Sequence, residues 1–327
     1  MLRYGLFLLL SGLIAAQEPA QVTSGGAVIE VNFGPGKFDV GRDAVLVWVS
    51  NAANAVSEYF GRFPVQHARL MVRPSQGRSG VSHGTTFGGS RAFTRMSVGQ
   101  STTDKQLDDD WMMTQEFIHM GFPDVSGESD EHHWMEEGMA TYIEPIARVQ
   151  IGRMTNERVW GDFARDMPQG LPRAGDQGLD RTPTWGRTYW GGAIFWLLAD
   201  VRIREATHNQ KGLQDAMRGI LEAGGNITED WTVERVVEVG DRATSTTVLA
   251  DLYNQMKATA VHTDLDDLWR RLGVQVKNGA VTFDDRAPLA EIRKAITAKQ
   301  RAGRQFQFTD TQNAAGSIED RQAQRDG

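Results

Sequence analysis

The chain changes character at Thr103, and this change limits the folds that it can adopt. Before that point, stretches typical of strands flank one segment with helical spacing. From Thr103 to Leu272, apolar residues recur mostly at helical spacing. The elements predicted in the first part are the strands Ala27–Phe33, Ala68–Val72 and Ala92–Val98 and the helix Asp43–Phe60. This order predicts an α+β protein, with a small mixed N-terminal lobe that contains a β-sheet and a larger helical C-terminal lobe.

The same pattern divides the chain into four predicted segments. They are a signal peptide at 1–16, an N-terminal α/β lobe at 17–102, a helical lobe at 103–298, and a polar, disordered tail at 299–327. Ser75–Ser90 and Pro168–Arg187 are rich in turn-forming residues, so we expect both to be loops. Residues 274–283 predict a hairpin, because Asn278-Gly279 suits a two-residue turn with positive φ.

Composition excludes several classes of function. The chain has 327 residues, no cysteine and a formal net charge of −7. The acidic balance argues against nucleic acid as a main partner, because binding nucleic acid requires a positively charged surface. Without cysteine there is no disulfide framework, no thiolate metal site and no thiol nucleophile.

The N-terminus has the layout of a secretory signal peptide, with Arg3, the apolar run Tyr4–Ile14 and the small residues Ala15 and Ala16. A membrane anchor is the alternative, but a run of 11 residues is shorter than the roughly 20 needed to cross a bilayer. No later segment is long and apolar enough, so we expect no transmembrane segment in the mature chain. The sequence therefore predicts an exported protein, either secreted or periplasmic.

The residues that suggest chemistry begin after Trp111. Gln115 and His119 are four positions apart, which places them on one face of the predicted helix with Glu116 beside them. The run Gln115-Glu116-Phe117-Ile118-His119 resembles the H-E-x-x-H zinc-binding helix with its first histidine replaced by glutamine.

Two further segments resemble the same family, the gluzincin metallopeptidases, which include thermolysin, aminopeptidase N and the glycyl aminopeptidases. Trp134–Tyr142 matches W-x-x-E-G-x-A-x-Y and places Glu137 18 positions after His119, and Tyr189–Ala193 matches Y-x-x-G-A. Each motif alone is common, but all three in this order and near the family spacing are far more specific. The resemblance covers Thr103–Ala298 and implies a zincin-like catalytic domain.

This resemblance implies a role for each motif residue. His119 and Glu137 would be zinc ligands, and Gln115 stands at the position of the first ligand. Glu116 would be the general base toward a metal-activated water, and Tyr189 would donate a hydrogen bond to the tetrahedral intermediate. The implied function is hydrolysis of peptide bonds in a peptide or protein substrate, with Zn2+ as the cofactor.

Gln115 departs from the family pattern. An amide oxygen is a much poorer zinc ligand than imidazole, and it suits harder ions such as Mn2+, Mg2+ or Ca2+. Three outcomes are open: weak zinc binding, use of another divalent metal, or a catalytically impaired pseudo-peptidase that binds a peptide or partner protein in the same cleft. His132 and His133 shortly precede Glu137. We interpret them as exposed loop residues, with contact to the site as the alternative.

Other features favour different interpretations. Gly80-Val81-Ser82-His83-Gly84 matches the G-x-S-x-G nucleophile elbow, so a serine hydrolase using Ser82 is a minor alternative, although the loop-like surroundings argue against it. The gluzincin resemblance implies instead that this region supplies the edge strand that holds the substrate backbone. Aminopeptidases of the family carry a glutamate there that binds the free amine, whereas Ser79–Gln100 contains none, which argues against aminopeptidase specificity. We expect four tryptophans near the site to serve packing: Trp111, Trp134, Trp185 and Trp190.

Overall fold

The computed structural model describes residues 19–125 and 131–299. Five strands form the N-terminal sheet: β1 Ala20–Ser24, β2 Ala27–Phe33, β3 His67–Ser75, β4 Val81–Phe87 and β5 Ala92–Gly99. Their order in the sheet is β1-β2-β3-β5-β4. β2, β3 and β5 run parallel, whereas β1 and β4 pair antiparallel with their neighbours at the two ends of the sheet.

The parallel strands form the centre of the sheet because they alternate buried apolar side chains. These side chains are Ile29 and Val31 on β2, Leu70 and Val72 on β3, and Met96 and Val98 on β5. Helix α1 (Arg42–Phe60) adds Val49, Ala52 and Val56 to the same core. The three predicted strands and the predicted helix of this part are confirmed.

The prediction of a loop over Ser75–Ser90 is wrong for Val81–Phe87, which forms β4 at the end of the sheet, in the region where the family resemblance implied an edge strand. This strand is rich in Ser, Thr and Gly, and none of its residues is buried, so no apolar alternation marks it. Its conformation depends on antiparallel pairing with β5, from Val81 opposite Val98 to Phe87 opposite Phe93. Pairing of this kind leaves no signature in the hydrophobic pattern.

The rest of the described chain is mainly helical, which confirms the α+β class. Its helices are α2 Asp104–Asp109, α3 Met112–His119, α4 His133–Gln150, α5 Asn156–Asp166, α6 Gly192–Ala206, α7 Leu213–Glu222, α8 Val233–Thr244, α9 Val248–Met256, α10 Leu265–Leu272 and α11 Ala290–Thr297. The predicted hairpin is present as β6 Val274–Lys277 and β7 Ala280–Phe283. Its turn residues Asn278 and Gly279 have φ angles of 51° and 78°.

The prediction of a surface loop over Pro168–Arg187 is only partly right, because the segment is anchored to the protein. One short 3-10 helix, Met167–Gly170, overlaps the start of the segment, and a second, Leu179–Arg181, lies within it. A π-helical turn begins at its last residue and covers Arg187–Gly191. Arg187 Nε forms a buried ion pair of 2.8 Å with Asp176 Oδ2, and Arg187 Nη1 donates to the Gly170 carbonyl oxygen at 2.6 Å. These contacts fix the π-helical turn where it leads into α6.

The predicted signal peptide lies outside the described residues, and so does the predicted tail apart from Lys299. Within the described ranges, no helix is long and apolar enough to cross a membrane. The boundaries of the four predicted segments therefore stay predictions.

Helices α4 and α6 cross at two glycines. A Cβ atom added to Gly138 would overlap the backbone of Gly192, and one added to Gly192 would overlap the carbonyl oxygen of Trp134. Because neither residue has a Cβ, the two helices approach backbone to backbone. Gly138 directly follows Glu137, so this crossing determines where the Glu137 side chain is presented.

Gly138→Ala should destabilise the protein by about 1–3 kcal/mol, the usual cost of overpacking, because the contacted atoms belong to the backbone. Urea unfolding followed by circular dichroism measures the change. Gly161→Ala in α5 is the matched control, since an added Cβ there meets only a methyl group of Val281 and the change raises helix propensity. Wild-type stability in the Gly138→Ala protein would contradict the close crossing.

Candidate functional site

Helix α3 carries three of the predicted site residues. Gln115, Glu116 and His119 all lie largely buried on it. The helix begins after Asp110, whose carboxylate accepts a hydrogen bond from the backbone amide of Met113 at 3.1 Å. This bond satisfies one of the free amides of the first turn. The helical period then places Gln115 and His119 on one face.

Glu137 on α4 is the point at which the site residues meet. Its Oε2 atom lies 3.2 Å from Gln115 Nε2 and 3.5 Å from His119 Nε2. The two sequence motifs are therefore brought together in space.

Tyr189 reaches the same carboxylate from the π-helical turn, a type of turn often found at functional sites. Its hydroxyl donates a hydrogen bond to Glu137. Burial of the phenol, together with the charge of Glu137, raises the pKa of Tyr189 to about 12. At neutral pH Tyr189 is therefore a hydrogen-bond donor, which is the form needed beside an oxyanion.

The side chain of Glu116 on α3 packs against the edge strand β4. Thr86 Oγ1 lies 2.7 Å from Glu116 Oε2, to which it donates, and 2.9 Å from the Glu116 carbonyl oxygen. Gly84 permits this close packing, because a Cβ there would lie 2.8 Å from Glu116 Cγ. Burial raises the pKa of Glu116, while the charge of His119 opposes the rise. A raised pKa makes this carboxylate a better proton acceptor than an exposed glutamate.

His119 and Glu137 stabilise each other's charged forms. Burial disfavours the imidazolium, but the hydrogen bond to Glu137 and the charges of Glu137 and Glu116 raise the pKa of His119 to about 9. Burial also disfavours the Glu137 carboxylate, but the hydrogen bond from His119 and the charges of His119 and His133 lower its pKa. The surroundings of Glu137 therefore favour a cation, whether a proton on His119 or a metal ion.

The positions of Gln115, His119 and Glu137 can be compared with those around a bound ion. Two ligands of a tetrahedral ion at about 2.0–2.1 Å lie about 3.3–3.4 Å apart. The separations at Glu137 are 3.2 and 3.5 Å. Rotation of the Gln115 amide would turn its oxygen toward the same point.

The atoms that these three side chains offer are a weaker set of zinc ligands than a His-His-Glu set. No group of three His, Asp or Glu side chains suited to a metal ion occurs in residues 19–125 and 131–299. Among the three residues, only His119 and Glu137 have side chains that bind zinc well, and the Gln115 oxygen is a weak donor.

His132 is not the exposed residue that we expected. Its side chain is mostly buried, and its Nδ1 atom lies 3.3 Å from Asp180 Oδ1. Asp180 also accepts hydrogen bonds from Trp134 Nε1 at 2.8 Å and from the Tyr253 hydroxyl at 3.1 Å. This cluster anchors the start of α4. No sequence signal pointed to Asp180, because its partners are distant in the chain.

His133 is partly exposed, yet it contacts the site. Its Nε2 atom lies 3.5 Å from Glu137 Oε1. The alternative of contact with the site is therefore correct for His133, and its spacing of four residues from Glu137 was the signal.

The four tryptophans divide into two pairs. Trp134 is buried and Trp190 is partly buried against the core, as expected for packing. Trp111 and Trp185 are 48% and 61% exposed, so the packing prediction is wrong for these two.

Ser82 lies in a setting that does not suit a nucleophile elbow. It is an exposed residue of β4, and its hydroxyl donates to the Ser97 carbonyl oxygen at 3.3 Å. An elbow requires a sharp turn from a strand into a helix, whereas β4 continues to Phe87. His83 Nε2 pairs with Thr85 Oγ1 at 3.1 Å. The serine hydrolase alternative therefore has no support at this residue.

Comparison with solved structures finds metallopeptidases. An aminopeptidase N family protein from Idiomarina loihiensis has a TM-score of 0.61 at 12% sequence identity, over 79% of this chain and 49% of that protein. An M1 zinc metallopeptidase from Deinococcus radiodurans has a TM-score of 0.47 at 13% identity, over 75% of this chain and 51% of that protein. A mutant of the latter bound to a Tyr-Ser-Ala substrate has a TM-score of 0.46 at 12% identity, over 74% and 52%. No protein-family model and no curated protein matches the sequence.

The chain spans about half the length of these metallopeptidases. At such low identity the similarity to the aminopeptidase N family protein establishes the fold alone. The gluzincin resemblance is thus confirmed at the level of the fold.

Gln115→His should complete a His-His-Glu ligand set, because position 115 already lies beside Glu137. We expect zinc affinity to rise by at least about tenfold. Thermal stability in excess zinc should rise with it, since an ion that binds only the folded state stabilises that state. Isothermal titration calorimetry and thermal unfolding measure the two effects.

The control for this experiment combines Gln115→His with Glu137→Gln, which removes one ligand and should cancel the gain. If Gln115→His alone leaves zinc affinity unchanged, residue 115 does not face the ion, and the metal site is wrong.

Proposed function

We propose that this chain is a metal-dependent peptidase that hydrolyses peptide bonds in a bound polypeptide. The observation that carries the proposal is the convergence of Gln115, His119 and Tyr189 on Glu137, with Glu116 beside them. Peptide hydrolysis requires a general base, donors for the oxyanion and an activated water. We assign the first of these roles to Glu116 and the second to Tyr189.

Glu116 is suited to move the proton. It would accept a proton from the attacking water and return it to the leaving amine. The hydrogen bond from Thr86 to Oε2 fixes the orientation of its carboxylate. Tyr189 would donate its hydroxyl proton in a hydrogen bond to the developing oxyanion.

His119 and Glu137, with Gln115, are the residues that would hold the ion. A divalent ion there would polarise the scissile carbonyl and lower the pKa of water. Zn2+ is the ion that the fold similarity suggests, and the amide at position 115 weakens its binding.

Strand β4 offers a surface for the backbone of the substrate. It is last in the sheet order, with β5 as its strand partner in the described part of the chain. An extended polypeptide can add to such an edge through main-chain hydrogen bonds. Thr86 connects this strand to Glu116, so the edge runs next to the proposed base. Ser79–Gln100 carries no acidic side chain to bind a free amine, and we infer that internal segments of a polypeptide bind here.

A peptide-binding pseudo-peptidase is the second candidate, and the amide of Gln115 favours it. Gln115 Nε2 donates to Glu137 at 3.2 Å, so a protein hydrogen bond already satisfies the carboxylate that would hold an ion. The same cleft would then bind a peptide or partner protein without cleaving it. Elemental analysis of the purified protein, together with a peptide cleavage assay, distinguishes the two candidates.

We also propose that the chain is exported, and the layout of Met1–Ala16 supports this. Mass spectrometry of the protein recovered outside the cytoplasm should find Gln17 as the first residue.

Glu116→Gln should abolish peptide cleavage and leave the fold intact, because the amide has nearly the same shape but cannot accept the proton. Tyr189→Phe should lower kcat by about 10²–10³, the usual loss for one oxyanion donor. Cleavage of a casein-derived peptide mixture, followed by mass spectrometry, measures both effects.

Ser82→Ala is the control, and it should retain wild-type cleavage because Ser82 is exposed and bonded within the sheet. Unchanged turnover in the Glu116→Gln protein would exclude Glu116 as the general base. No cleavage by the wild type with any added divalent metal would leave the pseudo-peptidase as the function.

A further inference from the structure

Trp185 is the most exposed large apolar side chain in the described part of the protein, at 61%. An indole in water is unfavourable unless a partner covers it, because it carries a large apolar surface. Single exposed apolar residues are common on protein surfaces, so exposure alone does not indicate a binding site. The position of Trp185 relative to the candidate site is therefore the relevant observation.

Hydrogen bonds and close packing hold the backbone around Trp185. The carbonyl oxygen of Thr184 accepts a hydrogen bond from the Thr188 amide at 2.8 Å, and its Oγ1 accepts one from the Arg187 amide at 3.3 Å. Gly186 packs against the backbone of Gln169. The segment that carries the indole is therefore already ordered, and a ligand need not pay the entropy cost of ordering its backbone.

Trp185 lies directly beside the candidate site. Its ring centroid is 5.7 Å from that of Tyr189, with the planes tilted by 32°. The hydroxyl at the far end of the Tyr189 ring bonds to Glu137. An extended polypeptide advances about 3.3–3.6 Å per residue. If the peptide bond to be cleaved lies at the Tyr189 hydroxyl, a side chain about two or three residues away along the bound polypeptide would reach the indole.

We propose that Trp185 forms a binding subsite for an aromatic or large aliphatic side chain of the polypeptide that binds beside Glu116 and Tyr189. The inference rests on the proposed function, since it requires that polypeptides bind in this cleft. Either candidate function, cleavage or binding alone, uses the subsite in the same way. Trp185 thus selects the substrate, and it takes no part in the proton transfer.

The experiment uses the full chain and fluorescein-labelled peptides of ten residues with an alanine-serine background. One series carries a single Phe at successive positions, and the matched series carries Asn at the same positions. Fluorescence anisotropy in the Glu116→Gln protein measures affinity without cleavage. We expect the Phe peptide at one position to bind about tenfold more tightly than its Asn partner, because contact with the indole removes apolar surface of Phe from water.

Trp185→Ala should remove this preference and leave the affinity for the Asn peptides unchanged. Trp185→Phe should restore part of the preference, because it returns an aromatic face. Val276→Ala is the control. Val276 is 51% exposed on β6, and its truncation should keep the full preference.

Two results would overturn the subsite alone: peptides that bind without any Phe preference, or a preference that survives Trp185→Ala. A different result would overturn the proposed function together with the subsite, namely no binding of any peptide to a protein with normal thermal unfolding. The two failures are therefore distinguishable in one set of titrations.

Discussion

The candidate site depends on the carboxylate of Glu137. A buried carboxylate is costly unless hydrogen-bond donors or cations replace the water that it loses. In this protein the compensating groups come from three elements: Gln115 and His119 on α3, His133 on α4, and Tyr189 on the π-helical turn. Segments that are far apart in the chain thus contact one ionised group. Burial and the charge of Glu137 together raise the pKa of Tyr189, whereas at His119 burial opposes the rise in pKa that Glu137 causes.

Backbone packing and buried polar contacts hold these elements in position. Gly138 and Gly192 permit α4 and α6 to touch, the Asp176–Arg187 ion pair fixes the π-helical turn, and Asp180 anchors the start of α4. A site placed on such supported elements keeps its geometry without a ligand. Strand β4 differs, because it has a strand neighbour on only one side in the described chain, which suits it to accept a polypeptide.

The two candidate functions, peptide cleavage and peptide binding alone, differ in what the Gln115 amide does. The fold is similar to that of an aminopeptidase N family protein, and the proposed peptidase function assigns its chemistry to Glu116, His119, Glu137 and Tyr189. At position 115 the amide nitrogen can bond to Glu137, or the amide oxygen can face an ion beside it. The balance between these two states decides whether the cation beside Glu137 is a metal ion or a proton on His119.

Sequence spacing alone determined the α+β class, the three central strands, α1 and the hairpin, because these depend on local periodicity and turn chemistry. Gln115, His119 and Glu137 were identified by the resemblance of their motifs to the gluzincins, and their roles stay predictions. The extent and pairing of β4, the Asp180 cluster and the exposure of Trp185 were decided only by the tertiary structure. β4 is held by pairing with β5, Asp180 gains its role from Trp134 and Tyr253, and Trp185 lies against Tyr189 while remaining open to water. Such features arise between residues brought together by folding, and hydrophobic periodicity carries no information about those neighbours.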